Sequence, residues 1–252
     1  LFGIELVPCI QTLAHLPRIF MHWQPYAAQI QDKADVLLVG EERTYVLIEN
    51  MIKTCRECFS STRINIGMDE AFHLGQGKYF EKNGFVPKSH IMKQHLGRVL
   101  EICRRYGYQA SMWADMFLPE IMAGNTDGIP DDVQLIYWNY GNDYDETYDS
   151  HAACSQALEA LRIAGLRHSF AGGAHKWHGF TPLNRYSRHI LSCQLPAVKQ
   201  SGVQDFLLTL WGDEGAECSP FSVLPTLAYL AQENLEGECG RFAERICCRL
   251  TG

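Results

Sequence analysis

The chain has 252 residues, of which 46% are hydrophobic and 20% are charged, a balance typical of a globular domain that is large enough to bury a substantial core. Its formal net charge of −7 argues against a nucleic-acid partner, because phosphate binding needs clustered lysine and arginine. No apolar run approaches the length that spans a bilayer, so we expect no membrane association.

Strand patterns and helical patterns alternate along the chain. The predicted strands are residues 4–10, 64–67, 109–114, 133–140, 168–171 and 205–211. The predicted helices are residues 45–59, 89–106, 155–164, 185–200 and 220–235. Such alternation favours parallel βαβ units, and no repeat or linker splits the chain into two domains.

Polar or aromatic residues follow nearly every predicted strand. These clusters are Gln11 to His15, Asp69-Glu70, Trp113 with Asp115, Trp138 with Tyr140, His175 with Trp177, and Trp211 with Asp213. Six strands also suit a doubly wound sheet, but sites built from many carboxyl-terminal strand ends are typical of the (β/α)8 barrel. No glycine-rich phosphate motif follows any strand, which argues against a dinucleotide site.

The most informative stretch is the strand that ends at Gly67 and leads into Asp69 and Glu70. Neighbouring carboxylates repel, so one tends to keep its proton, and a site can retain a proton donor at neutral pH in this way. Acidic residues are also common in the first turn of a helix. Spacing alone leaves both interpretations open.

The run Gly67-Met68-Asp69-Glu70 after an apolar strand resembles the catalytic Asp-Glu pair of glycoside hydrolase family 20, the β-N-acetylhexosaminidases. The longer Asn65-Ile66-Gly67-Met68-Asp69-Glu70-Ala71 is similar to its bacterial members. The resemblance covers residues 3 to about 235 and implies a (β/α)8 TIM barrel. The six predicted strands would be the third to the eighth, so we expect the first two strands to be absent from this chain. Residues 1–238 would form the catalytic barrel domain, and residues 239–252 would begin a C-terminal helical element.

The resemblance also implies the chemistry. Family 20 enzymes release terminal β-linked N-acetylglucosamine or N-acetylgalactosamine with retention, and the 2-acetamido group of the substrate acts as the nucleophile. Glu70 would match the general acid/base. Asp69 would match the residue that holds the acetamido N–H and stabilises the oxazolinium intermediate. The implied partner is an oligosaccharide or glycoconjugate that ends in an N-acetylhexosamine, with no metal and no cofactor.

The resemblance assigns further residues to substrate binding. His15 would sit close to the acid/base, although this chain has Gln11-Thr12-Leu13-Ala14-His15 where the family commonly has Asp-Thr-Pro-Gly-His, which leaves the role of Gln11 open. Tyr140 is the candidate for the hydroxyl that binds the acetamido carbonyl. Asp213 would bind outer hydroxyls in place of the family's glutamate, with Glu214 or Glu217 as alternatives. Trp113 and Asp115 resemble the fifth-strand pair that lines the sugar pocket in the family. Aromatic rings pack on the C–H faces of sugars, so we expect the same pocket to be walled by Trp113, Trp138, Trp177 and Trp211.

The ten cysteines are scattered among apolar segments, unlike those of a small disulfide scaffold. We therefore expect reduced, buried thiols and a cytoplasmic location. Cys55 and Cys58 have the spacing of metal ligands, but they lie in a helical pattern without a second close pair, which favours core thiols.

Two alternatives remain open. A metal-dependent hydrolase on the same fold would gather His15, Asp69, His73 and His175 around zinc or a similar ion, although no His-x-His or His-Glu-x-x-His motif occurs. A carbohydrate-binding protein without activity, or an inactive fragment, is the other.

Overall fold

The computed structural model describes residues 3–142, 147–203, 205–213 and 217–235. The strands in this part of the chain are β1 (Arg63–Asn65), β2 (Gln109–Trp113), β3 (Gln134–Trp138), β4 (His168–Gly173) and β5 (Phe206–Thr209). The helices before β3 are α1 (Pro17–His22), α2 (Tyr26–Ile30), α3 (Glu42–Cys58), α4 (Lys78–Asn83), α5 (Lys88–Arg105) and α6 (Leu118–Met122). The later helices are α7 (Ser150–Ile163), α8 (Asn184–Ser201) and α9 (Leu224–Leu235), the last preceded by a 3-10 turn at Pro220–Val223.

The chain forms two compact units, which we describe separately. The first consists of Leu1–Ile136 and Ile163–His168. In it β1, β2 and the start of β3 pair in parallel, with Ile64 opposite Ala110 and Met112 opposite Leu135. Helices α3 and α5 pack together, and their inward residues Ile48, Ile52, Ile91 and Leu96 are fully buried with Ile64 of β1.

The second unit consists of Tyr137–Arg162 and Ser169–Gly252. In it β4 pairs in parallel with β5, and Phe170 lies opposite Phe206. The backbone N–H of Asn139, just beyond β3, donates to the carbonyl of Ala171. Helices α8 and α9 pack against each other. The alternation of parallel strands with helices is consistent with part of a (β/α) barrel.

The predicted first strand is wrong over most of residues 4–10. Only Cys9 makes a bridge, which is parallel and pairs it with Asn65. Ile4 and Leu6 are 75% and 69% exposed, and Pro8 has no N–H to extend a ladder. The remaining predicted strands and helices match β1 to β5, α3, α5, α7, α8 and the segment Pro220–Val223 with α9, with boundaries that differ by a few residues.

The cysteine prediction is partly wrong. Cys103, Cys154 and Cys218 are buried free thiols as expected, but Cys9 and Cys58 are exposed and Cys55 is half-buried. Cys58 is exposed because it ends α3, at the surface rather than in the core. No helix among the described residues is long and apolar enough to cross a membrane. The predicted C-terminal helical element at residues 239–252 lies outside the described residues.

Candidate active site

Residues 67–70, which we call the acidic turn, leave β1 with an unusual backbone. Gly67, Met68 and Glu70 have φ angles of +70°, +72° and +50°. This left-handed region suits glycine, whereas a non-glycine residue held there costs on the order of 1–3 kcal/mol and persists only when its surroundings enforce it. Two such residues, Met68 and Glu70, occur within this four-residue segment, so the surrounding structure enforces the conformation of the acidic turn.

Side chains from three segments hold the backbone of the acidic turn. The Asn65 Oδ1 accepts the Gly67 N–H at 2.7 Å. The Gln11 Oε1 accepts the Met68 N–H at 3.3 Å, and the Asp115 Oδ2 accepts the Glu70 N–H at 2.9 Å. These bonds satisfy backbone donors that the end of the strand leaves without ladder partners.

The two carboxylates have different surroundings. The side chain of Asp69 is 14% exposed, and its Oδ1 accepts a hydrogen bond from the Gln11 Nε2 at 2.9 Å. The side chain of Glu70 is 39% exposed and reaches solvent. The two adjacent carboxylates therefore differ in burial and in their hydrogen-bond partners.

The His15 imidazole bridges the pair. Its Nε2 lies 3.3 Å from the Glu70 Oε2, and its Nδ1 lies 3.9 Å from the Asp69 Oδ2. The backbone of His15 has a φ of +60°, and its backbone N–H donates to the Asp35 Oδ2 at 2.8 Å. The structure therefore brings His15 together with Asp69 and Glu70.

The segment that carries Gln11 and His15 is anchored to buried groups. The Thr12 hydroxyl donates to the Ile66 carbonyl at 2.8 Å. The Thr12 carbonyl lies 2.9 Å from the Nε2 of fully buried His95 in α5. A carbonyl can only accept, so the Nε2 carries the proton and the Nδ1 accepts from the Tyr45 hydroxyl at 3.1 Å. Burial lowers the pKa of His95 to about 4, so the ring is neutral near pH 7.

Cys9 lies beside the acidic turn. Although the residue as a whole is exposed, its thiol is partly desolvated. This desolvation and then the negative charge of Asp69 raise the pKa of the Cys9 thiol, which keeps it protonated. Trp113, at the end of β2, donates its backbone N–H to the Gly67 carbonyl and is 3% exposed. That Trp113 and Asp115 contact a bound sugar stays a prediction.

In the second unit, aromatic residues form a cluster around Tyr140, which we call the aromatic cluster. The Trp138 ring stacks on Tyr140 with centroids 5.2 Å apart, and the Trp177 ring meets it edge-on at 5.4 Å. The Trp211 Nε1–H donates to the Tyr140 hydroxyl at 2.9 Å. The His175 ring stacks on Trp177 at 4.4 Å, and its Nε2–H donates to the Tyr140 carbonyl at 2.8 Å.

The structure thus brings together four of the predicted pocket residues, Tyr140, Trp138, Trp177 and Trp211. A cluster that combines aromatic rings with a hydroxyl suits an amphipathic ligand such as a sugar. Asp213 and Glu217 are exposed and appear in no described contact with this cluster. Glu214 lies outside the described residues.

The proposed metal ligands do not form a cluster. Across residues 3–142, 147–203, 205–213 and 217–235, no group of three or more His, Cys, Asp or Glu side chains is arranged to hold a metal ion. His73 is exposed, and His175 is buried against Trp177 and Tyr186.

Two residues were missed as parts of the site. His95 falls within the helix predicted over residues 89–106 and Asn65 within the motif that resembles the family's, but neither was assigned a role of its own. The signal for Asn65 was available, because Asn followed two residues later by Gly is typical of a side-chain-capped turn. No local signal identified His95.

The chain resembles a curated protein in sequence. It is 26% identical over 274 residues to bovine (Bos taurus) Hexosaminidase D, an alignment that covers 98% of this chain and 75% of that protein. A shorter match, 24% identical, covers 56% of this chain and 31% of human Hexosaminidase D. No family model matches the chain.

The fold resembles solved structures of β-N-acetylhexosaminidases. A GH20 exo-β-N-acetylglucosaminidase from Vibrio harveyi in complex with N-acetylglucosamine superposes with a TM-score of 0.69 at 14% identity, covering 99% of this chain and 42% of that one. A β-N-acetylhexosaminidase from Bacteroides fragilis superposes with a TM-score of 0.65 at 18% identity, covering 99% of this chain and 51% of that one. The chain therefore spans about half the length of these enzymes or less, and the likeness establishes the fold.

Proposed function

We propose that the chain is a GH20-like protein, related to the β-N-acetylhexosaminidases of glycoside hydrolase family 20. Its substrates would be oligosaccharides or glycoconjugates, from which it hydrolyses terminal β-linked N-acetylglucosamine or N-acetylgalactosamine. The enzyme would act from the non-reducing end and retain the anomeric configuration, without cofactor. We propose further that the complete fold is an eight-stranded barrel in which β1 is the fourth strand. The cytoplasmic location expected from the sequence stays a prediction.

One observation supports this function above the others: the adjacent carboxylates of Asp69 and Glu70, with the His15 imidazole 3.9 Å and 3.3 Å from them. Glu70, the more exposed of the two, would protonate the departing glycosidic oxygen and later take a proton from water. His15 would assist this exchange from its position at the Glu70 carboxylate.

Asp69 would serve the substrate-assisted step. Its carboxylate would accept the acetamido N–H, which orients the carbonyl oxygen for attack at the anomeric carbon. The oxazolinium that forms is positively charged, and an adjacent ionised carboxylate stabilises it. No nucleophile from the protein is then required. Tyr140, Trp138, Trp177, Trp211, Trp113, Asp115 and Asp213 remain predicted substrate-binding residues.

The test compares 4-nitrophenyl N-acetyl-β-glucosaminide, its galacto epimer and the matching β-glucoside on the purified full chain. We expect turnover of the N-acetyl sugars only. Glu70→Gln should lower kcat by about 100- to 10,000-fold, the range for a general acid/base. Asp69→Asn should lower kcat by about 100- to 1,000-fold, the range for loss of one group that stabilises developing charge. A thiazoline analogue of the cyclic intermediate should inhibit strongly, because it mimics a state that the site favours.

Glu81→Gln, at an exposed carboxylate of α4, is the matched control and should leave turnover unchanged. Equal hydrolysis of the β-glucoside would contradict the mechanism. Loss of activity with a chelator and recovery with zinc would favour the metal-dependent alternative. Sugar binding without turnover in the wild type would identify a binding protein.

A further inference from the structure

Gln11 contacts the acidic turn with both ends of its side-chain amide. Its Nε2 donates to the Asp69 Oδ1 at 2.9 Å, and its Oε1 accepts the Met68 N–H at 3.3 Å. We propose that Gln11 is a positioning residue that fixes the orientation of the Asp69 carboxylate for the substrate-assisted step. This inference rests on the proposed hydrolase function.

The choice of an amide matters because of charge. A glutamine offers N–H donors and a carbonyl acceptor, so it matches a carboxylate and a backbone N–H at once. A carboxylate at position 11 would accept from Met68 but would place a second negative charge beside Asp69, which favours protonation of one of the pair. A donor to the ionised carboxylate favours the ionised form.

The backbone of the acidic turn is shaped around this amide. A Cβ built on Gly67 would lie 2.1 Å from the Gln11 Oε1 and 2.7 Å from its Cδ. Gln11 is half-buried, and the neighbouring residues Thr12, Leu13 and Ala14 are fully buried, so its segment is rigidly packed. With the Asp69 Oδ1 held by Gln11, the Oδ2 is the oxygen turned toward His15.

Two near-isosteric substitutions test the role. Gln11→Met removes both hydrogen bonds and should lower kcat by about 10- to 100-fold with little change in KM, since misplaced groups lose rate rather than binding. Gln11→Glu keeps the acceptor and adds a charge. It should move the acidic limb of the kcat/KM profile upward by about one pH unit or more, with partial recovery at higher pH.

Among the described residues, the titratable groups close to Asp69 include Cys9 and His15. Glu70 is adjacent in the chain and shares His15 with Asp69, and Asp115 contacts the Glu70 backbone. To separate Asp69 from these groups, its carboxyl carbon would be followed by 13C NMR during a pH titration. Gln11→Glu should move the Asp69 titration to higher pH than in the wild type, a readout that needs no turnover. An unchanged titration would overturn the inference.

A double-mutant cycle asks whether Gln11 acts through Asp69. In an Asp69→Asn background, Gln11→Met should cause no further loss of kcat beyond about twofold, because residues that act as one unit are not additive. Independent, multiplying losses would overturn the inference while leaving the hydrolase function intact. Absence of turnover in the wild type would instead overturn the hydrolase function.

Gln76→Met is the matched control for loss of a glutamine hydrogen bond. Gln76 is exposed, and its Nε2 donates to the Phe72 carbonyl at 3.0 Å in the loop after the acidic turn. It should leave kcat and the pH profile unchanged. Should Gln11→Met fail to fold, Gln11→Glu carries the test, since it retains the acceptor for the Met68 N–H.

Discussion

Two turns of the same kind follow β1 and β3. The Asn65 Oδ1 accepts the Gly67 N–H at 2.7 Å, and the Asn139 Oδ1 accepts the Gly141 N–H at 2.9 Å. Both glycines are left-handed, with φ angles of +70° and +74°. The first turn leads to a pair of carboxylates, whereas the second encloses Tyr140 of the aromatic cluster. The same backbone device therefore presents different chemistry according to the residues beside it.

The two turns differ in how they are supported. Around the first, Asn65, Gln11 and Asp115 each satisfy one backbone N–H of the acidic turn. In the second turn, one buried side chain makes several hydrogen bonds. The Asn139 Oδ1, which accepts the Gly141 N–H, also accepts from Gln194 and Ser150. Its Nδ2 donates to the hydroxyls of Tyr137 and Tyr148 at 3.0 Å and 2.6 Å. Support is distributed in the first turn and concentrated in the second.

The largest loss of stability should come from removing the Asn139 side chain. Asn139→Ala should lower the free energy of unfolding by about 4 kcal/mol, because it leaves several buried partners unsatisfied at roughly 1–3 kcal/mol each. Asn65→Ala, which removes the acceptor for one backbone N–H, should cost about 1.5 kcal/mol. Urea unfolding of both variants measures the difference. Equal losses would show that the two turns are supported alike.

A second difference concerns pH. The Asn139 network consists of amides and hydroxyls, whereas the segment beside the acidic turn is anchored by neutral His95. The pKa of His95 is about 4 in the folded chain and about 6.5 when unfolded. The unfolded state therefore binds the extra proton between these values, and stability present above pH 6.5 is lost as the pH falls toward 4. The loss should reach about 3 kcal/mol.

His95→Gln is the control for this prediction. Its amide can still donate to the Thr12 carbonyl but does not titrate. Urea unfolding between pH 7 and pH 4.5 should show a shallower loss of stability in the variant than in the wild type. Identical pH dependence in the two proteins would exclude His95 as the source.

The sequence predicted the long elements well because periodicity is local. The helix expected at residues 89–106 is α5, Lys88–Arg105, since an apolar face repeats over several turns. Helices α1, α2, α4 and α6 have five or six residues each and were missed, because so short a segment has no measurable period.

The acidic turn was located by its motif, but its supports were not. Gln11 precedes Asp69 by 58 positions, and Thr12 precedes its partner His95 by 83. A local pattern carries no information about contacts at such separations. The sequence therefore offered the carboxylates and the aromatic residues as candidates, whereas the groups that contact them became visible only in the fold.

The smallest expected difference is between alanine substitutions at Gly67 and Gly141, the glycines of the two turns. A Cβ on Gly67 would meet the Ile10 backbone oxygen at 2.9 Å as well as the Gln11 side chain, whereas one on Gly141 would meet side chains of Tyr186 and Ile190 at 2.6–2.9 Å. Gly107 also has a φ of +70° but no heavy atom within 4 Å of that position, so it isolates the strain of the left-handed backbone.

Gly107→Ala should cost about 1 kcal/mol of unfolding free energy, and Gly67→Ala about 2 kcal/mol more because of the added clash. Gly141→Ala should fall between them, since side chains rotate more readily than a paired backbone moves. Urea unfolding of the three variants gives the order. If Gly141→Ala costs as much as Gly67→Ala, backbone crowding does not distinguish the two turns, and the acidic turn owes its shape to its side-chain bonds alone.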